Sequence, residues 1–495
     1  MREVMKNPPS KTFQKYILTP LMEKSADKEF TYFNQINKAH LMMLTEEDIV
    51  TKDTAKKIFT AIKDVEKNGI EKLDLDSTKE DLSSVIEAYI ISQCSADIGG
   101  QLHTGRSRND MGGTVTRMSI RSAFFTCCDQ INQLRDTMMK IAKEHTETVC
   151  TGYTCAQPAE PTTIAYYFTA YLTALERDFQ RLKDSYKRLN QCPLGSCSMA
   201  GTSFPINRAS VSYYLGFNQE TPNALDGIAA RDYVLEFLSD LSVLGINLSR
   251  FCQDMYVWVM QEISFADIDS SVAMCSSIMP QKKNPVIFEH VKGKAGHLLG
   301  AYVSAAGALK STPYTQVRDS SIESASMVYD TVKEIECICQ VLIDTLNTMK
   351  FHKERLEILA SENFSTVSEL ANVLVKDYGI SFRQAHSIVG KAVAIILEHD
   401  QKPTDITCKM IEDLAIEICG KKLDISEASL SEALDPRHNA FSRHSTGGPA
   451  PEQVIQQLKM LENTLETDGL WLVTQKNAIL DKEKELDRKI DVLLK

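Results

Sequence analysis

Three short polar stretches hold most of the reactive side chains of this sequence. His103-Thr104-Gly105-Arg106-Ser107-Arg108-Asn109-Asp110 offers two guanidinium groups, two hydroxyls and an amide within eight residues. Guanidinium forks match carboxylates bidentately, and the N-terminus of a following helix adds positive potential and free N–H groups. The stretch reads as an anion site, with a solvated turn capped by Asn or Asp as the plain alternative. Gly152-Tyr153-Thr154-Cys155-Ala156-Gln157-Pro158-Ala159-Glu160-Pro161 carries Thr154 and Gln157, two donors for a carboxylate. On residue types alone, a proline-punctuated connection between two helices is the simpler reading. The third is Cys275-Ser276-Ser277-Ile278-Met279-Pro280-Gln281-Lys282-Lys283-Asn284-Pro285. Asn284 and Pro285 predict an N-cap and first helical position, which puts Ser276 and Ser277 on a loop near a helix's positive end, with Lys282 close by. A serine is a poor base unless cations, N–H donors and removal from water stabilise its alkoxide. This stretch has the parts for that, and a flexible surface loop would suit its lysine pair as well.

The elements that must position these stretches are long helices. Tracts without Gly or Pro run from Thr114 to Thr151, Thr162 to Cys192, Ile228 to Leu244 and Tyr314 to Tyr378. A helix of about 30 residues is ~45 Å long, longer than a small domain is wide. Apolar residues within Tyr166–Leu175 and Val234–Val259 cover more than one helical face, as in inner members of a bundle or of a subunit interface. The first ~110 residues are shorter pieces broken by Pro8-Pro9, Pro20, Gly69 and Gly99-Gly100, and the pieces shorten again past about residue 364. The tail Glu452–Lys495 is charged and periodic, interrupted at Gly469. These patterns predict a mainly α fold in three domains: an N-terminal helical domain (1–111), a central long-helix bundle (112–364) and a C-terminal helical domain (365–495). No β-hairpin or βαβ pattern is evident, and no 20–50-residue repeat.

Composition narrows the function classes. The 495 residues include 55 Lys plus Arg and 66 Asp plus Glu, a net charge of −11, which does not suit a nonspecific binder of nucleic acid or anionic membrane. No run approaches the ~20 apolar residues of a membrane span, and the first residues contain no apolar run of a secretory signal. The 13 cysteines lack zinc-ligand spacing and read as small buried residues of a reducing cytoplasm. Neither a metal nor a cofactor motif is present.

In this order the three stretches resemble the fumarase/aspartase superfamily, and within it the argininosuccinate lyase family. His103–Asp110 and Ser276–Pro285 match that family's motifs nearly letter for letter, and Pro193–Arg208, Arg231–Arg250 and Gly447–Val454 add to the likeness. The resemblance implies a homotetramer whose central helices form one D2-symmetric bundle, with each active site built from loops of three subunits. It implies anti elimination of an amine from an N-substituted succinate, with argininosuccinate the lead substrate, giving arginine and fumarate. A base takes a proton from the carbon next to a carboxylate, and stabilising the resulting aci-carboxylate dianion is the main catalytic demand. By the resemblance, Ser276 is the base, Lys282 and Asn284 stabilise the carboxylate, and Ser107, Arg108, Asn109 and Thr154 bind the fumarate moiety. Gln157 joins that set as a donor from the same stretch as Thr154. Glu289 matches a carboxylate that normally orients a histidine, and Tyr314 and Arg250 match positions near the amine half.

The chain departs from the family at several of these positions. The histidine that follows Thr154 in the family, its usual proton donor, is Cys155 here, and the glycine before the serine pair is Cys275. Without a cationic neighbour a thiol is a less effective acid near neutral pH. Three outcomes follow: a leaving nitrogen already protonated needs no acid, Cys155 or a water substitutes, or catalysis is lost. The family's Tyr-Asn-x-Asp-Leu-Gln-x-Asp-Lys reads Tyr314-Thr315-Gln316-Val317-Arg318-Asp319-Ser320-Ser321, and its Trp-Gly-Gly-Arg-Phe is absent. The succinate end is thus matched and the amine end is not. Another N-substituted aspartate, such as an aminopolycarboxylate of the ethylenediamine disuccinate type, is the rival substrate, and a silent crystallin-like homologue is the non-enzymatic rival.

Overall fold

Apolar residues on several faces of the Gly- and Pro-free tracts force long helices to pack side by side. The computed structural model of the chain describes residue 5 and residues 7–495. Helices α1 (Thr19–Glu46), α2 (Lys52–Asn68) and α3 (Leu82–Cys94) form the first part. The bundle consists of α4 (Arg108–Glu144), α5 (Ile164–Leu189), α6 (Asp232–Trp258), α7 (Val286–Leu309) and α8 (Val328–Thr348). A smaller group holds α9 (Val367–Tyr378), α10 (Phe382–Glu398) and α11 (Cys408–Cys419), after which α12 (Pro451–Leu494) returns along the bundle. The fold is mainly α around a long-helix bundle, as the helical tracts require. No helix among the described residues is long and apolar enough to cross a membrane.

Side-chain contacts fix which helix ends lie together. Arg117, near the start of α4, donates to the carbonyls of Arg188 (2.7 Å) and Leu189 (3.0 Å) at the end of α5, and stacks on Tyr233 at the start of α6. At the other end, Trp258 of α6 packs on Tyr167 at the start of α5, with ring centroids 4.5 Å apart, and on Phe265 at 5.7 Å. Since α5 and α6 have 26 and 27 residues, these two ends are about 40 Å apart.

Three hydrophobic cores support this frame. Phe124, Phe168, Phe179, Phe237 and Phe251 fill the first, inside the bundle. A second joins α1–α3 to the start of α4 and includes Leu486 and Ile490 from the far end of α12. A third lies within residues 370–434. Thus α12 contributes to the first two cores and not to the third.

Three local expectations need correction. The tract Tyr314–Tyr378 is not one helix: it is interrupted at 349–352 and 363–366, and also around residues 320–326, where Ser320, Ser324 and Ser326 hydroxyls bond to backbone carbonyls and compete with helical bonding. Gly469 does not interrupt the tail, because α12 runs unbroken for 44 residues. One mid-helix glycine costs about 1 kcal/mol, which packing of Trp471 on Phe124, Phe179 and Tyr186 offsets. Finally, a hairpin is present: β1 (Val149–Thr154) pairs antiparallel with β2 (Gln157–Thr163).

A buried ion pair fastens α12 to the bundle. Arg135, 2% exposed, donates to Asp468 at 2.9 Å, and Asp468 is fully buried. Removing one partner of such a pair strands the other charge without water. Asp468→Ala should therefore lower stability by about 3–5 kcal/mol, read as a lower urea midpoint at fixed protein concentration.

Candidate active site

The first polar stretch is wired from behind by buried groups. Ser107 caps α4, and Asp110 closes the capping box by accepting Ser107 N–H at 2.9 Å. The second Asp110 oxygen accepts the N–H groups of Gly195 and Cys197, both at 2.9 Å, which ties the stretch to the 193–197 turn. Burial pushes the Asp110 carboxyl up to about 6, against the pull of these N–H donors and of Arg106. His40, fully buried on α1, donates from Nε2 to the Thr104 carbonyl at 2.8 Å. Arg106 is also buried, and donates to Asn37 at 2.8 Å. The surface of this wired loop presents Ser107, Arg108 and Asn109. Asn109 donates to the Ser198 carbonyl at 3.0 Å. Arg108 is held by Glu80 (3.2 Å) and Asp81 (3.1 Å), just ahead of α3. This pair of acids was not visible in the sequence, since nothing in their spacing marks them as partners of a loop 27 residues away.

The second stretch is the tip of the β1–β2 hairpin. Thr154 opposes Gln157, so Cys155 and Ala156 form a two-residue turn with φ of 51° and 60°. Both lie in the left-handed region that such hairpin turns demand, at a steric cost for residues with a Cβ. Thr154, Cys155 and Gln157 are all exposed.

The third stretch is a loop closed by two short strands, β3 (Met274–Cys275) and β4 (Lys283–Asn284). Asn284 is therefore a strand residue, and α7 starts at Val286 after Pro285 without a side-chain cap, one position later than the Asn-Pro pair predicts. Pairing with Cys275 and Met274 takes up the backbone that an N-cap role would need. Ser276 Oγ accepts N–H bonds from Ile278 (3.3 Å) and Met279 (3.1 Å). Two N–H donors aimed at one hydroxyl oxygen favour its alkoxide. Lys282 is exposed on the same loop, whereas Lys283 is engaged with Asp267 and the Ile268 carbonyl. Glu289, on the first turn of α7, accepts from Tyr256 at 3.1 Å.

Within one chain these groups divide between the two bundle ends. Ser107, Arg108 and Asn109 are at the α4 start. Tyr314 lies at that end too, its hydroxyl bonded to Asp226 rather than turned into the cavity that Arg108 lines. Tyr153 of the hairpin packs on Phe265 at 6.2 Å, and Lys283 of the serine loop is bound to Asp267 two residues further on. The hairpin tip and the loop of Ser276, Lys282, Asn284 and Glu289 are therefore at the opposite end, and Arg250 on α6 lies beside Tyr171 on that side. The Arg108 cavity contains none of Thr154, Cys155, Ser276, Lys282 or Asn284.

Comparison with known proteins gives the class and then the family. Residues 6–300 match the lyase family, and residues 364–440 match the argininosuccinate lyase C-terminal family. Argininosuccinate lyase 1 of Shouchella clausii (strain KSM-K16) is 42% identical over 475 residues, covering 96% of this chain and 95% of the relative. Argininosuccinate lyase of Methanocaldococcus jannaschii is 37% identical over 457 residues, covering 92% and 90%. The crystal structure of EDDS lyase in complex with formate superposes with a TM-score of 0.87 at 28% identity, covering 99% of this chain and 97% of that one. The chain belongs to the argininosuccinate lyase family, within the fumarase/aspartase superfamily, and is a carbon–nitrogen lyase.

The wiring behind the first stretch has a pH signature. Burial, then the nearby Arg106 charge, lowers the His40 pKa from 6.5 to about 3. A depressed folded-state value means that the neutral ring contributes stability above pH 6.5, and that this contribution is lost as pH falls toward 3. The loss is about 1.4 kcal/mol per pH unit. Between pH 7.5 and 5 the wild-type protein should lose about 2 kcal/mol more stability than His40→Gln, whose amide can still donate to Thr104. Equal losses measured by denaturant titration would discount His40.

Proposed function

We propose that the chain eliminates an amine or guanidine from an N-substituted succinate and releases fumarate, with argininosuccinate as the lead substrate. In this reading Ser276 removes the proton from the carbon next to a carboxylate. Lys282 and Asn284 stabilise the aci-carboxylate dianion, and Ser107, Arg108, Asn109, Thr154 and Gln157 hold the other carboxylate. The C–N bond then breaks, and its electron pair leaves with nitrogen. A nitrogen protonated beforehand, as in a guanidinium, departs neutral and needs no acid at position 155. This explains how the reaction tolerates Cys155 where relatives have histidine, and leaves Glu289 with Tyr256 as its partner. Tyr314 and Arg250 are assigned to the amine half, and Tyr314 would have to leave Asp226 to reach it.

One observation carries this reading. In this reading the Ser276 loop and the Arg108 loop lie at opposite ends of helices about 36–55 Å long, so antiparallel association of copies is what joins them. A homotetramer with shared sites, acting in the cytoplasm, follows from the same reading. So does a three-part chain divided near residues 111 and 364, with α12 packing back onto the first two parts. The similarity to EDDS lyase, together with the altered residues 315–321, favours a second reading in which the substrate is another N-substituted aspartate.

Fumarate release, followed by ultraviolet absorbance over a panel of N-substituted aspartates, decides between them. Activity with argininosuccinate above all others supports the lead reading, and activity confined to an aminopolycarboxylate supports the second. Ser276→Ala should lower turnover by about 10²–10⁴-fold without changing the oligomer, and substantial residual turnover would place the base elsewhere. Mixing Ser276→Ala with Arg108→Ala should restore part of the activity after subunit exchange, and no rescue would count against shared sites. If the parent is silent and Cys155→His is active, the protein is a non-catalytic homologue.

A further inference from the structure

The hairpin that carries Thr154 and Gln157 is poorly equipped to hold its own tip. Its second strand contains Pro158 and Pro161, which lack the N–H that a ladder bond needs. Between the pairs Gly152–Glu160 and Tyr153–Pro158 that strand has one residue too many, Ala159, and such a bulge bends the ribbon just below the tip. A lone two-stranded hairpin is marginal even without these defects. Contacts from outside the hairpin must therefore set the direction in which the exposed tip points.

Each strand has such a contact. On β1, Thr151 Oγ1 accepts from Asn363 Nδ2 at 2.9 Å, and Asn363 is itself fixed by the Ser365 N–H, also at 2.9 Å. On β2, Glu160 is ion-paired with Arg443. Ser368, in the first turn of α9, bridges the pair, its hydroxyl 3.4 Å from both Glu160 Oε1 and Arg443 Nη2. The Arg443 side chain is 19% exposed, and its Nε is closed off from solvent without a partner, so Glu160 and Ser368 take the bonds it makes. Arg443 is on a strap, Ser442 to Ala450, that joins the helix Pro436–Phe441 to α12. The strap is stiff. Gly448 N–H donates to the Ser445 carbonyl at 2.8 Å, and a Cβ on Gly448 would lie 2.4 Å from the Arg443 carbonyl, so the chain folds back on Arg443 as only glycine permits. Beyond it Ala450 and Val454 are fully buried, and Val454 belongs to the first core. The Gly447–Val454 motif thus holds one guanidinium still against the bend of the hairpin.

We propose that Arg443 is a positioning residue for the elimination: by holding Glu160 at the bend, it aims Thr154 and Gln157 at the substrate carboxylate. The inference rests on the lyase reading above and adds the strap to its machinery. Arg443 touches no reacting atom. A part-exposed ion pair contributes little to global stability, so losing it changes the direction of the tip rather than the fold. A displacement of about 1 Å at an orienting group can lower a rate by about 100-fold.

Steady-state fumarate release with the best substrate of the panel, together with hydrogen exchange of the hairpin amides in the full-length protein, tests this. Arg443→Ala and Glu160→Ala should each lower kcat by about 10- to 100-fold and leave KM within about 3-fold, since Ser107, Arg108 and Asn109 still bind the substrate. Arg443→Lys, which keeps the charge, should regain most of that loss. The double variant should lose no more than the worse single one, as two residues acting through one contact do. Amides within residues 149–163 should exchange about 5-fold or more faster in both single variants, at an unchanged urea midpoint. Should Arg443→Ala not fold, Glu160→Ala, on the more exposed side of the pair, gives the same readings. A kcat within about 2-fold of the parent's in the single variants overturns the proposal. So do losses that add in the double variant, unchanged exchange over 149–163, or a kcat loss that comes with a lowered urea midpoint and no recovery in Arg443→Lys. Failure of the lyase reading looks different: the parent releases no fumarate from any N-substituted aspartate, while exchange over 149–163 still rises when Arg443 is changed.

Discussion

The length of α4 is the constraint on which the rest of the structure depends. Its 37 residues hold the guanidinium of Arg108 about 55 Å from the hairpin that follows it, and α6 and α7 run about 35–40 Å along the same bundle. A chain built this way holds the Arg108 loop and the Ser276 loop at opposite ends of its bundle. Rigid, well-packed helices keep the two loops apart within one chain.

The two ends are organised by different physics. At the α4 start, burial does the positioning. His40, Arg106 and Asp110 have been taken out of water, and each is matched to backbone or amide partners, so the loop that presents Arg108 has little freedom. Arg108 itself is ion-paired with Glu80 and Asp81 and stays exposed to solvent. At the far end the Trp258 and Phe265 cluster is buried, but the loop and hairpin tip beyond it are exposed. The hairpin tip and the serine loop are held by their own short strands, and Ile278 at the loop's crest is 82% exposed.

Much of this was legible in the residues. Helices α4, α5 and α6 follow from tracts that lack Gly and Pro, and the three stretches rich in hydroxyls, amides and cations stand out because the chain around them is helical. The misreadings have definite causes. Proline at positions 158 and 161 pointed to a helix connection, yet proline is tolerated on a two-stranded ribbon that is all edge, and the positive φ of Cys155 and Ala156 has no signature in those residue types. Serine hydroxyls broke the tract after Tyr314, and packing carried α12 through Gly469, both against the simple rule that glycine and proline alone end helices.

The sequence by itself determined the chemistry on offer and the helical class, because residue type and periodicity are local properties. Only the tertiary structure decided which acids hold Arg108, what wires its loop, and that Arg443 of the strap meets Glu160 on the hairpin. These are contacts between residues tens to hundreds of positions apart. Burial, which sets their charge state and their need for partners, exists only once the chain has folded around them.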